Sequence, residues 1–332
     1  MRKLLVFICV MFCFCCFVSA QENAQESAQD SVETEEKSEE EQGDFRNFFV
    51  PDLSFQALQI GEKDWVFSPS ASLRYIRTKK DGVESSQPDS LMVAASYTPN
   101  IFTAGLGKDN VRYLHSLSMM GSVGFGKNNL LVLVSSDGEV LFSDIRTIFG
   151  GLLYTHEFFK NDSFSLSLGA GLVVGDLGIK IRGVNIYVIP LPMFSLSYSS
   201  DILDASLSLL GLNLTLFPKK MFRFEGQCAI TRFDSIRNLT FDCKLVYYPL
   251  HNTEAGDFLA VAAGVMNEET SFSLRDKDKY GWQYYCVYGE VDASLVRIKA
   301  GYHFNGKNLL DDEPVSDLHK GFFASIQAMY FF

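Results

Sequence analysis

Lys320-Gly321-Phe322-Phe323-Ala324-Ser325-Ile326-Gln327-Ala328-Met329-Tyr330-Phe331-Phe332 closes the chain. Counting back from Phe332, each second residue is aromatic or apolar: Phe332, Tyr330, Ala328, Ile326, Ala324 and Phe322. Successive side chains of a β-strand point to opposite faces. The stretch therefore reads as a strand with one unbroken apolar face, ending on an aromatic residue. Such a face suits a lipid boundary far better than the rim of a soluble domain.

The same period of two recurs upstream. Phe222, Phe224, Cys228 and Ile230 share one face, while Arg223, Glu225, Gln227 and Thr231 share the other. Leu239, Phe241, Cys243, Leu245 and Tyr247 oppose Thr240, Asp242 and Lys244. Phe164, Leu166, Leu168, Ala170, Leu172 and Val174 oppose a row of serines and glycines from Ser163 to Gly171, and Val296, Ile298, Ala300, Tyr302 and Phe304 oppose Arg297, Lys299, Gly301 and His303. Strands of soluble sandwiches commonly run five or six residues. These runs reach roughly ten, the length a tilted strand needs to cross a bilayer. No stretch after Ala20 is long and apolar enough for a membrane-spanning helix, although 47% of the chain is hydrophobic.

The N-terminus gives an export signal. Arg2 and Lys3 precede an apolar run from Leu4 to Phe17, and Val18-Ser19-Ala20 supplies small residues before Gln21, so residues 1–20 read as a cleaved signal peptide. Residues 21–44 follow with ten acidic residues against Lys37 alone, and this segment carries most of the formal net charge of −11. It has too little apolar surface to offset the entropy of ordering and reads as a disordered periplasmic segment.

Signal peptide, alternating strands and terminal Phe332 together resemble bacterial outer-membrane β-barrel proteins. The resemblance is to a class of architecture. It implies an all-β, antiparallel transmembrane barrel over residues 68–332 in the outer membrane, with outer-membrane lipid and the barrel-assembly machinery as partners. Phe322, Ile326, Tyr330 and Phe332 become the barrel-assembly signal.

Counting alternating segments gives about 14 strands, with 12 or 16 as alternatives. Segments at 202–216, 257–266 and 270–276 each count once, and a further one at 68–79 breaks the even number unless 47–60 is a strand as well. Residues 45–67, with Phe48-Phe49-Val50-Pro51 and Trp65, read as an N-terminal plug or an extra strand. With the C-terminus in the periplasm, Asn305 to His319 is a long outer loop. Val291-Asp292, Asn267-Glu268-Glu269, Ser235-Ile236 and Asn161-Asp162 are then short periplasmic turns, and His251 lies in an outer loop. Cys228 and Cys243 flank Ser235-Ile236 symmetrically, so a two-residue hairpin there would set them directly opposite each other on the lipid side.

Little in the chain points to an enzyme. The histidines His115, His156, His251, His303 and His319 have no H-x-x-x-H or H-E-x-x-H spacing, and no G-x-S-x-G elbow accompanies them. Asp311, Asp312 and Glu313 are consecutive and cannot all aim at one metal ion; no metal and no cofactor are expected. The acidic balance disfavours nucleic acid. The informative face is the one opposite the lipid: Arg223, Glu225, Gln227, Asp242, Lys244, Arg275, Arg297, Lys299 and His303 are the lumen-facing candidates. Mixed charge with small neighbours fits a water-filled channel or transporter for small solutes. It fits equally a closed, salt-bridged interior, in which case the barrel is structural or adhesive at the cell surface.

Overall fold

The computed structural model describes residues 45–330 apart from 81–87, 107–109, 177–179, 182–183, 210, 231–238, 252–257, 275–277 and 312. The signal segment 1–20, the acidic segment 21–44, Arg275 and Phe332 lie outside the described residues.

Strands dominate. In chain order they are β1 (Phe45–Gln59), β2 (Trp65–Lys79), β3 (Ser90–Leu106), β4 (Val111–Phe125), β5 (Asn128–Gly138), β6 (Ile148–Lys160), β7 (Phe164–Gly175), the short β8 (Lys180–Ile181) and β9 (Val184–Asn185), β10 (Val188–Ser199), β11 (Leu203–Ser208), β12 (Gly211–Leu216), β13 (Phe222–Ile230), β14 (Leu239–Tyr247), β15 (Ala260–Ser273), β16 (Lys279–Ala293), β17 (Val296–Leu310), the short β18 (Glu313–Asp317) and β19 (Gly321–Met329). A single 3₁₀ turn at Ile145–Thr147 is the one helical element among the described residues.

Neighbours in sequence pair antiparallel throughout the wall, and β19 pairs with both β17 and β1. Asp52 faces Met329 and Leu58 faces Phe323 across the seam. The ring is thereby closed. With β8 and β9 paired only to each other and β18 only to β17, sixteen strands of the described residues form the wall. Closure joins the first strand to the last and so removes the two outer edges of the sheet, which is why barrels can span a membrane.

The count departs from fourteen for identifiable reasons. Residues 45–59 and 65–79 both enter the wall as β1 and β2, joined in register from Phe45–Lys79 to Gln59–Trp65. The stretch 45–67 thus supplies wall rather than a plug. Residues 202–216, read as one strand, fold as β11 and β12 with Ser208 facing Gly211. The leucines of Leu207 to Leu212 continue the apolar pattern straight through the turn and hide it. Residues 257–266 and 270–276 are one strand, β15, because Asn267-Glu268-Glu269 stays extended and pairs with Tyr285 to Gln283.

These shifts move several turns. Val291-Asp292 lies within β16, and the connection to β17 is Ser294-Leu295. Asn305 to Leu310 prolong β17, so the outer connection begins only at Asp311. Asn161-Asp162 is at the C-terminal end of the barrel, as expected. His251 belongs to that end too, in the link from β14 to β15, and not to an outer loop. Ser235-Ile236 lies outside the described residues; β13 ends and β14 begins at the opposite end of the barrel. Their register pairs Cys228 with Phe241 and Gly226 with Cys243, so the two cysteines sit diagonally on the outer face. Diagonal neighbours stand about 7–8 Å apart, too far for the directly opposed pair that the symmetric spacing predicts.

The outward side chains are apolar where lipid would lie. Phe222, Leu245, Ile298, Tyr302, Phe322, Ile326 and Tyr330 are all exposed on the barrel's exterior. A soluble monomer rarely displays so much contiguous apolar surface.

Candidate functional site: the lumen wall

The inner face is built by the residues that alternate with those lipid-facing ones. On β13–β17 the register places Arg223, Glu225, Gln227, Asp242, Lys244, Arg297, Lys299 and His303 on that face. The same register adds residues the sequence reading passed over: Tyr284, Cys286, Tyr288, Glu290 and Asp292 of β16. Their signal was present, since Tyr284 to Asp292 alternates with Tyr285, Val287, Gly289 and Val291.

Near the C-terminal end these groups form one ionic network. Glu290 is almost fully buried and lies at its centre, 2.9 Å from Lys244 and 3.5 Å from Lys299. Lys244 also reaches Glu225 at 3.3 Å, and Lys299 reaches Asp242 at 3.3 Å. Tyr288 donates its hydroxyl to Asp242, while the Lys299 ammonium stands 4.2 Å over the Tyr288 ring. Arg297 donates through Nε and Nη2 to Asp292 at 2.8 and 2.6 Å. Arg223 instead lies over the Tyr248 ring, 4.0 Å from its centre. Buried charges are tolerable only when paired and hydrogen-bonded. The network meets that condition, and its cations are committed to carboxylates.

Above the network the interior is apolar. Leu58, Val66, Phe102, Leu114, Phe272, Trp282, Tyr284 and Phe323 form one buried cluster. Phe102 and Trp282 meet edge to face at 5.8 Å. On the wall β3 and β16 are separated by β17, β19, β1 and β2, so this contact crosses the lumen. His303 is fully enclosed here, its Nε2 2.6 Å from the Gln59 carbonyl and its ring beside Tyr284. It faces inward, into packed side chains and not into water.

A second closure comes from the β5–β6 connection. Gly138 pairs in parallel with Ser273 of β15, although β5 and β15 stand on opposite sides of the ring. The Glu139 N–H donates to the Ser273 carbonyl at 3.1 Å, and Ser273 Oγ donates to the Arg146 carbonyl at 3.1 Å. A Cβ at Gly138 would come within 2.6 Å of the Ser273 carbonyl oxygen, so this approach requires glycine. Asp144 and Thr147 cap the 3₁₀ turn reciprocally and stiffen the connection. Lys279 and Asp176, both largely buried, add an ion pair of 2.9 Å between the start of β16 and the residue after β7. The outer end of the lumen is thus pinched in two.

One half is filled by the apolar cluster. The other half, bounded by β5–β7 and β10–β14, is different. Its lower wall carries Ser165, Ser197, Ser199, Ser206, Asn213 and Thr215 around a cavity of about 370 Å³. Higher up, Leu131, Leu133, Leu153, Val173, Ile189, Leu191 and Met193 form an apolar strip on the same inner wall. The sequence signal for this strip is Leu130 to Val134, an uninterrupted apolar run where a strand wet on one side would alternate.

Among the described residues there is no cluster of His, Cys, Asp or Glu arranged to hold a metal ion. No protein-family model matches the chain, and no curated protein matches it. Solved structures with a similar outline are bacterial outer-membrane proteins. A BenF-like porin from Pseudomonas fluorescens Pf-5 is 7% identical over 87% of this chain and 98% of its own, with a TM-score of 0.32. OmpT, an outer membrane protein of Vibrio cholerae, in its trimer form is 10% identical over 87% of this chain and all of its own, with a TM-score of 0.30. Acinetobacter baumannii OccAB3 is 7% identical over 87% of this chain and all of its own, with a TM-score of 0.28. Likeness at this level carries no argument about activity, solute or assembly.

Proposed function

We propose that the chain is a non-enzymatic outer-membrane barrel that lets small solutes pass through the half of its lumen beside β5–β7 and β10–β14. The observation that carries this reading is the serine, threonine and asparagine lining of the 370 Å³ cavity at the C-terminal mouth of that half. Small hydroxyl and amide side chains hold water, and Lys160, Asp162 and Asp204 at the same mouth add charges of both signs. The small side chains leave room that bulkier residues would occupy. The passage is narrow, because the apolar cluster and the β5–β6 connection take up the remainder. Lys244, Arg297 and Lys299 add little selectivity by charge, since Glu225, Glu290, Asp292 and Asp242 neutralise them.

The test is ion conductance and sugar-driven swelling of liposomes containing the refolded protein. Small steps and slow swelling support the passage.

A second reading, a closed structural barrel at the cell surface, is favoured by the Gly138–Ser273 bridge. Folded protein that passes neither ions nor sugars would select it.

A further inference from the structure

The wall is low on one side. β11 and β12 have six residues each, against fifteen in β1, β2, β16 and β17. β11 pairs with β10 only from Ser195 to Ser199, so residues 188–194 of β10 meet no other described strand on that side. Across its other edge β10 pairs with β7 along its whole length, from Val188–Val174 to Tyr198–Phe164.

The sequence of that free edge is telling. The Tyr187 carbonyl accepts from Gly175 and the Ser199 N–H donates to Ser163, both toward β7, so odd-numbered residues direct their main-chain groups to β7 and even-numbered ones to the gap. Pro190 and Pro192 therefore stand where the N–H groups would face the gap, and they remove two of its donors. Proline at a sheet edge blocks the addition of another strand. The gap is chemically an edge, and a peptide cannot zip onto it.

Behind the edge lies the apolar strip. Ile189, Leu191 and Met193 of β10 point inward beside Leu133, Leu153 and Val173. Gly151 and Gly171 keep it flat, since a Cβ at Gly171 would collide with Leu153 Cδ2. Outside, at the same register, β7 turns Leu168 and Leu172 toward lipid. An apolar inner surface and the apolar exterior thus meet at a proline-bearing edge that no described strand covers. The strip crosses four adjacent strands, roughly 14 Å at 4.8 Å spacing.

We propose that this strip binds the alkyl chain of a single-chain amphiphile, whose tail reaches the bilayer through the gap beside β10 while its head stays in the polar vestibule. The inference deepens the proposed passage and rests on that half of the lumen being open.

The probe is dansylundecanoic acid added to the full chain in vesicles. Saturable fluorescence enhancement is expected, and acyl-brominated lipids should quench the bound dye because bromine reaches the site through the gap. Leu153→Asn with Leu191→Asn should weaken binding about tenfold or more, while Lys307→Gln, at an exposed ion pair on β17, leaves it unchanged. If the first pair fails to fold, Ile189→Thr with Met193→Gln takes its place. No saturable binding, binding indifferent to these variants, or bound dye that brominated lipid does not quench would each overturn the inference. Conductance of the same vesicles separates the two readings. Ion flow without dye binding removes this inference alone, and dye binding without ion flow removes the open passage alone.

Discussion

Glu290 is the residue on which the lumen wall's electrostatics converge. Three cations, Lys244, Lys299 and Arg297, lie within 4 Å of it. Removing Glu290 would leave each of these cations a single carboxylate, Glu225, Asp242 and Asp292 respectively, so the cost falls below the roughly 3–5 kcal/mol of a buried charge left unpaired. Glu290→Ala should therefore lower the temperature at which the folded band converts to the unfolded band on detergent gels. Lys244→Ala combined with Glu290→Ala should lower it further, because Glu225 then loses its lysine. Ile298 tests the opposite face. It is half exposed on the exterior and flanked by inward Arg297 and Lys299, so Ile298→Arg would place a charge in hydrocarbon at about 2–4 kcal/mol. Folding yield in vesicles should fall sharply for Ile298→Arg and little for Lys299→Arg. Equal losses would mean the inside and outside assignments are wrong.

Outside the membrane-spanning part, Asp89 receives the Gly126 N–H and pairs with Lys79 at 3.5 Å, and these contacts hold its carboxyl below the usual range. A carboxylate with a depressed folded value contributes its full stability above about pH 4 and loses it as pH falls through that depressed value. Asp89→Asn should accordingly flatten the acid limb of the stability curve, read as gel-shift temperature against pH.

At the scale of elements, the β5–β6 connection decides how much of the lumen is open. Its bridge depends on Gly138 coming against the Ser273 carbonyl. Gly138→Val should break that approach and raise single-channel conductance, with the ring itself intact because β5 keeps its pairing to β4 and β6. Unchanged conductance would place the constriction elsewhere. Alternation found each wall strand from β3 onward in some form, because period two survives wherever one face meets lipid. It failed where both faces are apolar or a strand is unusually placed. Leu207 to Leu212 concealed a turn, Asn267 to Glu269 imitated one inside β15, and the continuous run Leu130 to Val134 concealed an apolar inner face. Pro190 and Pro192 marked a sheet edge in plain view, yet an edge has meaning only once its neighbours are known. The ionic candidates were legible as an inward row. Their pairing was not, since which carboxylate meets which lysine depends on strand register, and register across four hairpins is a tertiary fact.

At the scale of the molecule, the seam joins the first and last strands of the ring. Phe322, Ile326 and Tyr330 line the outside of β19, while Phe323 packs inward against the cluster containing Leu58. Loss of the last strand would expose the edges of β1 and β17 together, so truncation after Lys320 should abolish the compact, heat-modifiable form. Removing residues 21–44 should leave it intact. The ring so closed is half occupied by its own side chains, and the account stands on the other half conducting. Single-channel recording from the refolded protein in planar bilayers tests this most directly. The account predicts small, discrete steps with weak ion selectivity, enlarged in Gly138→Val. A folded, heat-modifiable protein that yields no steps, either as the natural chain or as Gly138→Val, would contradict it.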